Sequence, residues 1–421
     1  MIEVLQGILN SIFIVFGATW WILLPLALVF VAWEFWIYYV YVNYLRSQKW
    51  VLLEVKIPQG IEKTPKAMEQ VFAACYGIYS FGLRLSEKYW DGKIKEDFMS
   101  FELVGHSSGI HFYIRCLEGH RNLIESAIYA QYPDAEASLA TSDYMDMMPA
   151  TLPNKVYDIW GTDYHLIRDD AYPIRTHEYF EESVPEKRLD PIATLAEAMS
   201  RLKSDEAVWI QILIRPTGPD WKKKGEVIRD KLIGRKAPPA PAGFLDSIIA
   251  FAKNLFNAPV KPPEWPEEKK PEKETRMLAL TPGEKDVVEA IETKISKLAF
   301  ESNIRFLYID KRKSFTRGNI AAVMSTFHQF STQHLNGLRP NVSTLTIGRG
   351  LFKKQKVFLK KRQLFESYRR RYWPRKVGIL NIEELATLYH FPSIVVEAPL
   401  LRRLGAKKGE PPNELPVEET L

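Results

Sequence analysis

The feature that most constrains this chain is a long apolar run near its N-terminus. Residues 7–45 contain one formal charge, at Glu34. A helix needs roughly 20 consecutive apolar residues to cross the hydrocarbon core of a bilayer, and residues 21–41 reach that length alone. Tryptophan and tyrosine crowd the ends of the run, where amphipathic rings meet lipid headgroups. Residues 1–49 are therefore predicted to be a transmembrane anchor, with the lipid bilayer as a partner.

Charges on either side of the run predict its orientation. A cleavable signal peptide would start with basic residues and a shorter apolar segment, whereas Glu3 precedes this longer run. Arg46 and Lys49 follow it, and no basic side chain comes before it. The positive-inside rule then predicts a single-pass protein of the cell membrane with the bulk of the chain in the cytoplasm. Pro25 leaves open a hairpin that crosses twice and returns the body to the same side.

The chain offers no pattern for a metal or a nucleotide. Its two cysteines, Cys75 and Cys116, lie far apart in 421 residues. This usage suits a reducing compartment and fits neither a disulfide framework nor the spacing of zinc ligands. The nearest match to a phosphate loop, at Gly92 and Lys93, lacks the first glycine and the hydroxyl residue that such a loop needs. We expect no metal and no cofactor.

One string matches a catalytic motif. Residues 105–109 read GHSSG, the G-x-S-x-G pattern of a hydrolase nucleophile elbow, which would make Ser107 the nucleophile. An elbow requires a strand that leads directly into a helix, and both flanks of this string alternate like strands. We therefore expect a turn residue and no enzyme. A serine hydrolase that uses Ser107 is the competing reading.

The order of predicted elements favours an α+β fold. Alternating apolar residues predict strands, and a 3.6-residue period behind Thr64 and Pro65 predicts the first helix. The elements from residue 50 are a strand at 50–57, this helix, strands at 98–104 and 110–116, a helix at 120–132 and a strand at 136–139. This order is typical of a ferredoxin-like, split βαβ unit. Residues 50–150 are assigned to a first ferredoxin-like module and 151–206 to a connecting segment, whose apolar residues Tyr157, Ile159, Tyr164, Leu166 and Ile174 suggest an extra strand.

A second module of the same kind is predicted at residues 207–348. The string VWIQILIRP, 208–216, repeats the alternation of 51–58. A helix capped by Thr281 and Glu284, a strand at 303–310 and a helix at 318–331 follow, although a third strand is not evident. A proline-rich, charged insertion, 217–280, interrupts the copy. Its proline-rich stretches flank a predicted amphipathic helix at 244–256. The apolar face of this helix is equally suited to lie on a membrane surface, in a partner's groove or against its own domain.

The remaining region, residues 349–421, begins with a basic stretch that combines cations with aromatic rings. Residues 349–376 contain a single acid, Glu366. The candidate binding residues are Lys353, Lys354, Lys356, Lys360, Lys361, Arg362, Arg369, Arg370, Arg371, Tyr372 and Trp373. Such a combination suits single-stranded DNA, anionic lipid or an acidic protein surface. The alternative is a solvated helix face whose rings belong to a core.

Several stretches together carry a resemblance to a known family. They are residues 51–72, 109–115, 208–216, 380–392 and 396–416. The last two read LNIEELATLYHFP and VEAPLLRRLGAKKGEPPNELP. All resemble the membrane-anchored N-terminal region of the TraG-like coupling-protein ATPases of type IV secretion and conjugation. In that family a motor domain should follow the proline-rich segment, whereas this sequence stops at Leu421.

The resemblance implies a non-catalytic membrane component of such an apparatus, which docks a separate motor ATPase at the cytoplasmic face. Within 380–392, Asn381 is a good N-cap and Glu384 is placed to close a capping box. The residues assigned to motor docking are Asn381, Glu384, Leu385, Leu388, Phe391 and Pro392. A membrane adaptor that binds DNA or anionic lipid is the alternative function. The sequence leaves open whether the chain forms a homo-oligomer.

Overall fold

A computed structural model describes residues 2–58, 63–80, 83–93, 97–180, 190–234, 280–348, 350–392 and 403–404. Its first helix, α1 (Ile2–Ser47), is continuous through Pro25, so the predicted alternative of a hairpin at that proline is wrong. At 1.5 Å per residue the helix is about 69 Å long. Its part from Thr19 to Ser47, with a mean hydropathy of 1.8, is long and apolar enough to span a membrane.

The body that follows α1 is a mixed α/β structure built on one sheet. The strands are β1 (Trp50–Pro58), β2 (Met99–His106), β3 (Gly109–Leu117), β4 (Glu136–Leu139), β5 (Tyr157–Leu166), β6 (Ala207–Pro216), β7 (Ala299–Lys311), β8 (Leu338–Pro340), β9 (Gly378–Asn381) and β10 (Arg403–Leu404). Their order is β10-β1-β3-β2-β6-β7-β5-β8, with β4 beside β1 and β9 beside β7. All pairings are antiparallel except the two-residue contact of β10 with β1.

The helices between these strands are α2 (Pro65–Cys75), α3 (Arg121–Gln131), α4 (Ala193–Ser200), α5 (Asp220–Leu232), α6 (Pro282–Ser296), α7 (Arg317–His328), α8 (Lys353–Arg369) and α9 (Ile382–Leu388). Five of them, α2, α3, α6, α7 and α9, lie close to predicted positions, whereas α4, α5 and α8 were not predicted, and α5 lies inside the predicted insertion 217–280. Capping boxes close the N-termini of α6, through Thr281 and Glu284, and of α9, through Asn381 and Glu384. Both caps were predicted from sequence and are confirmed. The predicted helix at 244–256 lies outside the described residues.

The two halves of the body share one sheet instead of forming separate ones. β2 pairs with β6 along its whole length, from Met99 opposite Ile214 to His106 opposite Ala207. β6, predicted to open a second module, therefore lies near the middle of the sheet and is buried at every residue. The extra strand suggested within the connecting segment 151–206 is β5, which lies between β7 and β8 and is therefore part of the same sheet.

Helices cover both faces of the sheet. The larger core lies under α2, α3, α4, α7 and α9, where residues such as Phe101, Ile212 and Phe306 are fully buried or nearly so. On the opposite face, α8 places Leu364 and Phe365 against Trp209 and Leu307. A smaller cluster joins α5 and α6 beside the start of β7. The position of α8 matters for function because this helix contains most of the predicted binding residues.

Candidate functional site

The N-terminal half of α8 projects cations and apolar side chains into solvent. Lys353, Lys354, Lys356 and Arg362 are exposed. Beside them Leu351 is 82% exposed, Phe352 70% and Leu359 62%. A mixture of cations and large exposed apolar side chains is unusual for a merely solvated surface. We call Leu351, Phe352, Lys353, Lys354, Lys356 and Leu359 the α8 arm.

The middle of α8 is fastened to the body by two of the predicted binding lysines. Lys360 Nζ donates to the carbonyl oxygens of Val342 at 2.9 Å and Leu345 at 3.3 Å. Lys361 Nζ lies 2.7 Å from Asp158 Oδ1 of β5. Both cations have partners within the protein, so they position the α8 arm and contribute little free charge to a ligand.

The C-terminal end of α8 divides the three consecutive arginines among three environments. Arg369 donates to the carbonyl oxygen of Ala150 at 2.8 Å. Arg370 is exposed, pairs with Glu366 and donates to the Tyr372 hydroxyl at 3.0 Å. Arg371 is 4% exposed and reaches the sheet. The prediction that all three bind a ligand is therefore wrong for Arg371, because its guanidinium is already enclosed by protein acceptors.

Arg371 contacts a buried polar row that crosses the sheet. The row consists of residues directly opposite one another on neighbouring strands: Glu54, Tyr113, Glu102, Gln211, Arg305 and Asp163. Gln211 Nε2 donates to Glu102 Oε1 at 2.9 Å. Arg305 donates to Gln211 Oε1 at 2.9 Å and to Asp163 Oδ1 at 2.8 Å. The row thus links β2 to β6, where the two halves of the sheet meet.

Arg371 is hydrogen-bonded to this network through Glu102. Its Nε and Nη2 donate to the two oxygens of Glu102 at 2.7 and 2.9 Å, and its Nη1 donates to Asp143 at 2.8 Å. Burial alone would raise the pKa of Glu102, but the charge and hydrogen bonds of Arg371 hold that pKa below its ordinary value. Tyr144 also donates to Glu102, at 2.9 Å. The end of α8 is therefore fixed on the sheet by a buried bidentate ion pair.

The predicted aromatic residues also belong mainly to the body. Trp373 is half-buried, with its ring 5.5 Å from that of Phe98 and the Arg215 guanidinium 4.2 Å from its centroid. Phe98 in turn contacts Trp50, over which Arg115 lies at 4.1 Å. Burial, followed by the charge of Arg371, lowers the pKa of Arg115 to about 10. Trp373 is thus part of a stack of rings and cations, and Tyr372 remains exposed.

The residues predicted to dock a motor are interior. Asn381 and Phe391 are each 1% exposed, Glu384 and Leu385 are fully buried, and Leu388 and Pro392 are also buried. Glu384 pairs with the equally buried Lys294 at 3.0 Å, although burial still raises the pKa of Glu384. The docking assignment to Asn381, Glu384, Leu385, Leu388, Phe391 and Pro392 is therefore wrong. These residues hold β9 and α9 against the sheet.

The GHSSG string forms the turn between β2 and β3. Ser107 is exposed there, and the hydrogen bonds of the turn involve its neighbour. Ser108 Oγ lies 2.9 Å from His111 Nε2, and His111 Nδ1 lies 3.0 Å from Glu54 Oε1. This chain of contacts has the connectivity of a hydrolytic triad. The Ser108 N–H, however, donates to His106 Nδ1 at 3.2 Å, so it is not free to stabilise an oxyanion.

Within the described part of the chain, no group of three or more histidine, cysteine, aspartate or glutamate side chains is arranged to hold a metal ion. Cys75 and Cys116 are both buried thiols. Burial raises the pKa of each to about 12, which makes both unreactive at neutral pH.

Comparison with known proteins assigns the body to one family. A search of curated proteins finds no match. A family model described as a domain of unknown function, DUF8128, matches residues 43–401. The match starts in the last turns of α1 and includes every strand from β1 to β9. Because it spans most of the sequence, the chain belongs to the family described as a domain of unknown function, DUF8128.

Proposed function

We propose that this protein is a membrane-anchored, non-catalytic component of a type IV secretion or conjugation-like apparatus. In this proposal α1 crosses the cell membrane once, the sheet lies in the cytoplasm, and the body docks a separate motor ATPase. The resemblance of residues 380–392 and 396–416 to the segment that precedes a coupling-protein motor supports the assignment. The connection of α1 to β1 through two residues also supports it, because the body then lies next to the membrane.

The observation that carries the docking proposal is the α8 arm. One end of α8 is held by Arg371 and Glu102, while the other end presents Lys353, Lys354 and Lys356 beside exposed Leu351 and Phe352. A fixed helix with cations around apolar anchors suits a protein surface that is acidic at its rim and apolar at its centre. We therefore place motor docking on the α8 arm instead of on residues 381–392.

Single-stranded DNA is a weaker candidate for the same surface. Such sites combine cations with rings on which bases stack, and stacking contributes about 1–3 kcal/mol per base. Tyr368 is fully buried and Trp373 is half-buried beside Arg215. Tyr372 is the exposed ring among these three, which leaves a poor stacking platform. Anionic lipid is the other alternative, because membrane-surface elements also combine lysines with exposed leucine and phenylalanine side chains.

We further propose that each half of the sheet is a ferredoxin-like unit. The first half has the strand order β4-β1-β3-β2 and the second half β8-β5-β7-β6. In both, one helix connects the first two strands and another connects the last two: α2 and α3, then α4 and α7. The second unit would then start at Tyr157 instead of residue 207, and the insertion would occupy the connection between its two middle strands.

Capture from native membranes tests the docking proposal. The full chain is purified in mild detergent, and the co-purifying proteins are identified and assayed for ATP hydrolysis. We expect a P-loop ATPase with the wild type and its loss in Lys353→Glu/Lys354→Glu/Lys356→Glu. The matched control reverses Lys222, Lys223 and Lys224, three exposed lysines at the start of α5. Equal capture by both variants, or capture of no ATPase by the wild type, would contradict the proposal.

The hydrolase alternative is tested separately. A fluorophosphonate probe should leave the wild-type chain unlabelled, because the Ser108 N–H already donates to His106. Labelling that disappears in Ser108→Ala but remains in Ser107→Ala would assign catalysis to the Ser108–His111–Glu54 contacts. Labelling lost in Ser107→Ala would instead support the elbow motif.

A further inference from the structure

A short segment of the body packs along the last turns of α1. Its centre, Glu87–Asp91, is a π-helical turn that ends at Gly92. Trp36 Nε1 donates to the carbonyl oxygen of Tyr89 at 3.2 Å, and the rings of Trp33 and Tyr89 lie 5.3 Å apart. The segment is therefore attached to α1 at the level of its aromatic side chains.

The contact continues toward the end of α1. Gly92 has a φ of 77°, and a Cβ at this position would collide with the carbonyl oxygen of Val40. Further along α1, the Tyr44 hydroxyl donates to Asp97 at 2.9 Å, and Lys93 lies 3.3 Å from the same carboxylate. The segment is thus held along α1 from Trp33 to Tyr44, a rise of about 17 Å.

The segment exposes two large apolar side chains among the polar residues Arg84, Ser86 and Asp91. Leu85 is 70% exposed and Trp90 69% exposed. The adjoining turns of α1 also expose large apolar side chains, including Phe35 at 69%. Single exposed apolar residues need no explanation, but Leu85 and Trp90 belong to a segment that packs on a helix with the hydropathy of a membrane span. Tryptophan and tyrosine at this level match the aromatic belts at membrane–water interfaces.

We propose that residues 85–92 form an interfacial element that inserts Leu85 and Trp90 into the headgroup layer at the C-terminal end of α1. The inference rests on the proposed membrane anchor. Lipid is the occupant because the segment contacts α1 at Trp33, Trp36 and Val40, in the C-terminal part of the candidate membrane span Thr19–Ser47. Interfacial elements of this kind bury their apolar side about 5–10 Å into the headgroup and acyl boundary.

Such an element would fix the orientation of the body relative to the membrane. A lone helix lets the attached body rotate about its axis, whereas a second insertion beside it does not. Arg46 and Lys49, both exposed at the end of α1, would then face anionic headgroups. The α8 arm would consequently be presented to a partner in one direction.

Site-specific labelling of the full chain tests this inference. Trp90→Cys and, independently, Leu85→Cys are labelled with the polarity-sensitive dye NBD and reconstituted into phosphatidylcholine vesicles. Native Cys75 and Cys116 are fully buried and provide no background. Leu351→Cys on the α8 arm, 82% exposed, is the aqueous control, and Leu28→Cys within α1, 59% exposed, is the anchor control. Quenching is measured with nitroxides on the lipid headgroup and on the acyl chain, and with aqueous iodide.

We expect the labels at residues 85 and 90 to emit at shorter wavelength than the label at 351 and to be quenched by the headgroup nitroxide. The label at 28 should be quenched by the acyl-chain nitroxide. If the label at 28 is in lipid but those at 85 and 90 are quenched only by iodide, the interfacial element is refuted and the anchor stands. If the labels at 85 and 90 are quenched by neither the lipid nitroxides nor iodide, protein covers the segment and the inference also fails. Quenching of the label at 28 by iodide would refute the membrane anchor itself.

Discussion

Replacement of Arg371 by methionine is expected to destabilise the protein more than any other change in the basic stretch. The substitution keeps the approximate length of the side chain but removes the partner of Glu102, which is fully buried. Two hydrogen bonds to Glu102, of 2.7 and 2.9 Å, and one to Asp143, of 2.8 Å, are lost. The Glu102 carboxylate stays in the interior with Ser100, Gln211 and Tyr144. Removal of one member of a buried ion pair typically costs about 3–5 kcal/mol.

The neighbouring arginine supplies the control. Arg370 is exposed and pairs with the partly exposed Glu366, so Arg370→Met should change the free energy of unfolding by less than about 0.5 kcal/mol. Unfolding by urea in mild detergent can be followed by tryptophan fluorescence, since buried Trp209 contacts Tyr368 and Tyr144. If Arg371→Met is no more destabilising than Arg370→Met, the buried network does not position α8.

The dependence on pH provides a second check on the same pair. In the wild type the pKa of Glu102 is below its ordinary 4.5, so its stabilising effect is present above pH 4.5 and is lost as the pH falls through the lower folded value. In Arg371→Met, burial is no longer opposed by Arg371 and should raise that pKa. The variant then gains stability on acidification as Glu102 takes up a proton. The difference in the free energy of unfolding between the wild type and Arg371→Met should therefore become smaller as the pH falls.

Three further outcomes follow from particular contacts. Burial, only partly offset by Lys297, raises the pKa of Glu69 from 4.5 to about 7. The cost of ionising Glu69 therefore grows as the pH rises from 4.5 and is complete above pH 7. Glu69→Gln should stabilise the protein above pH 7 by up to about 3.5 kcal/mol, because one pKa unit corresponds to about 1.4 kcal/mol. It should not do so below pH 4.5, as measured by urea unfolding over pH. Asn381→Ala should lower the free energy of unfolding by about 0.5–2 kcal/mol. Thr281→Ala should lower it less, because the capping box of Asn381 is buried and that of Thr281 is exposed; equal losses would contradict this. Protease outside intact cells should leave residues 50–421 uncut, and their digestion would reject the cytoplasmic placement.

Local elements of the fold could be predicted because their signals lie within a few residues. The strand at 136–139 and the capping boxes at Thr281 and Asn381 are found where the sequence places them. Register and strand neighbours depend on contacts between distant segments. The pairing of β2 with β6 joins residues more than a hundred positions apart, and no local pattern specifies it.

β5 gives a weak strand signal in the sequence because charged residues interrupt its apolar positions. Asp158 and Asp163 interrupt the alternation of apolar residues, yet Lys361 and Arg305 pair with them in the structure. One signal for the polar row was present in the sequence. Glu102 and Gln211 each have apolar residues on both sides in the middle of a strand, and Arg305 lies between Ile304 and Phe306. A polar residue in such a position suggests a partner across the sheet.

The basic stretch shows why composition alone does not identify the functional residues. Arg369, Arg370 and Arg371 are identical in residue type but differ in burial and partners. The turn at the end of α8 causes Arg371 to differ from the other two arginines, because its φ of 52° takes the chain out of the helical conformation. Likewise, the apolar residues around 381–392 could have formed an exposed docking face, but pairing of β9 with β7 places them inside.

The central claim, that the α8 arm contacts a motor, is tested most directly by photo-crosslinking in intact cells. A photoreactive amino acid at Lys354 is compared with one at Lys223 on α5, both exposed helical positions. We expect an adduct between position 354 and a P-loop ATPase, and no such adduct from position 223. An ATPase adduct of equal yield from position 223, or adducts from 354 that contain only lipid or nucleic acid, would contradict the claim.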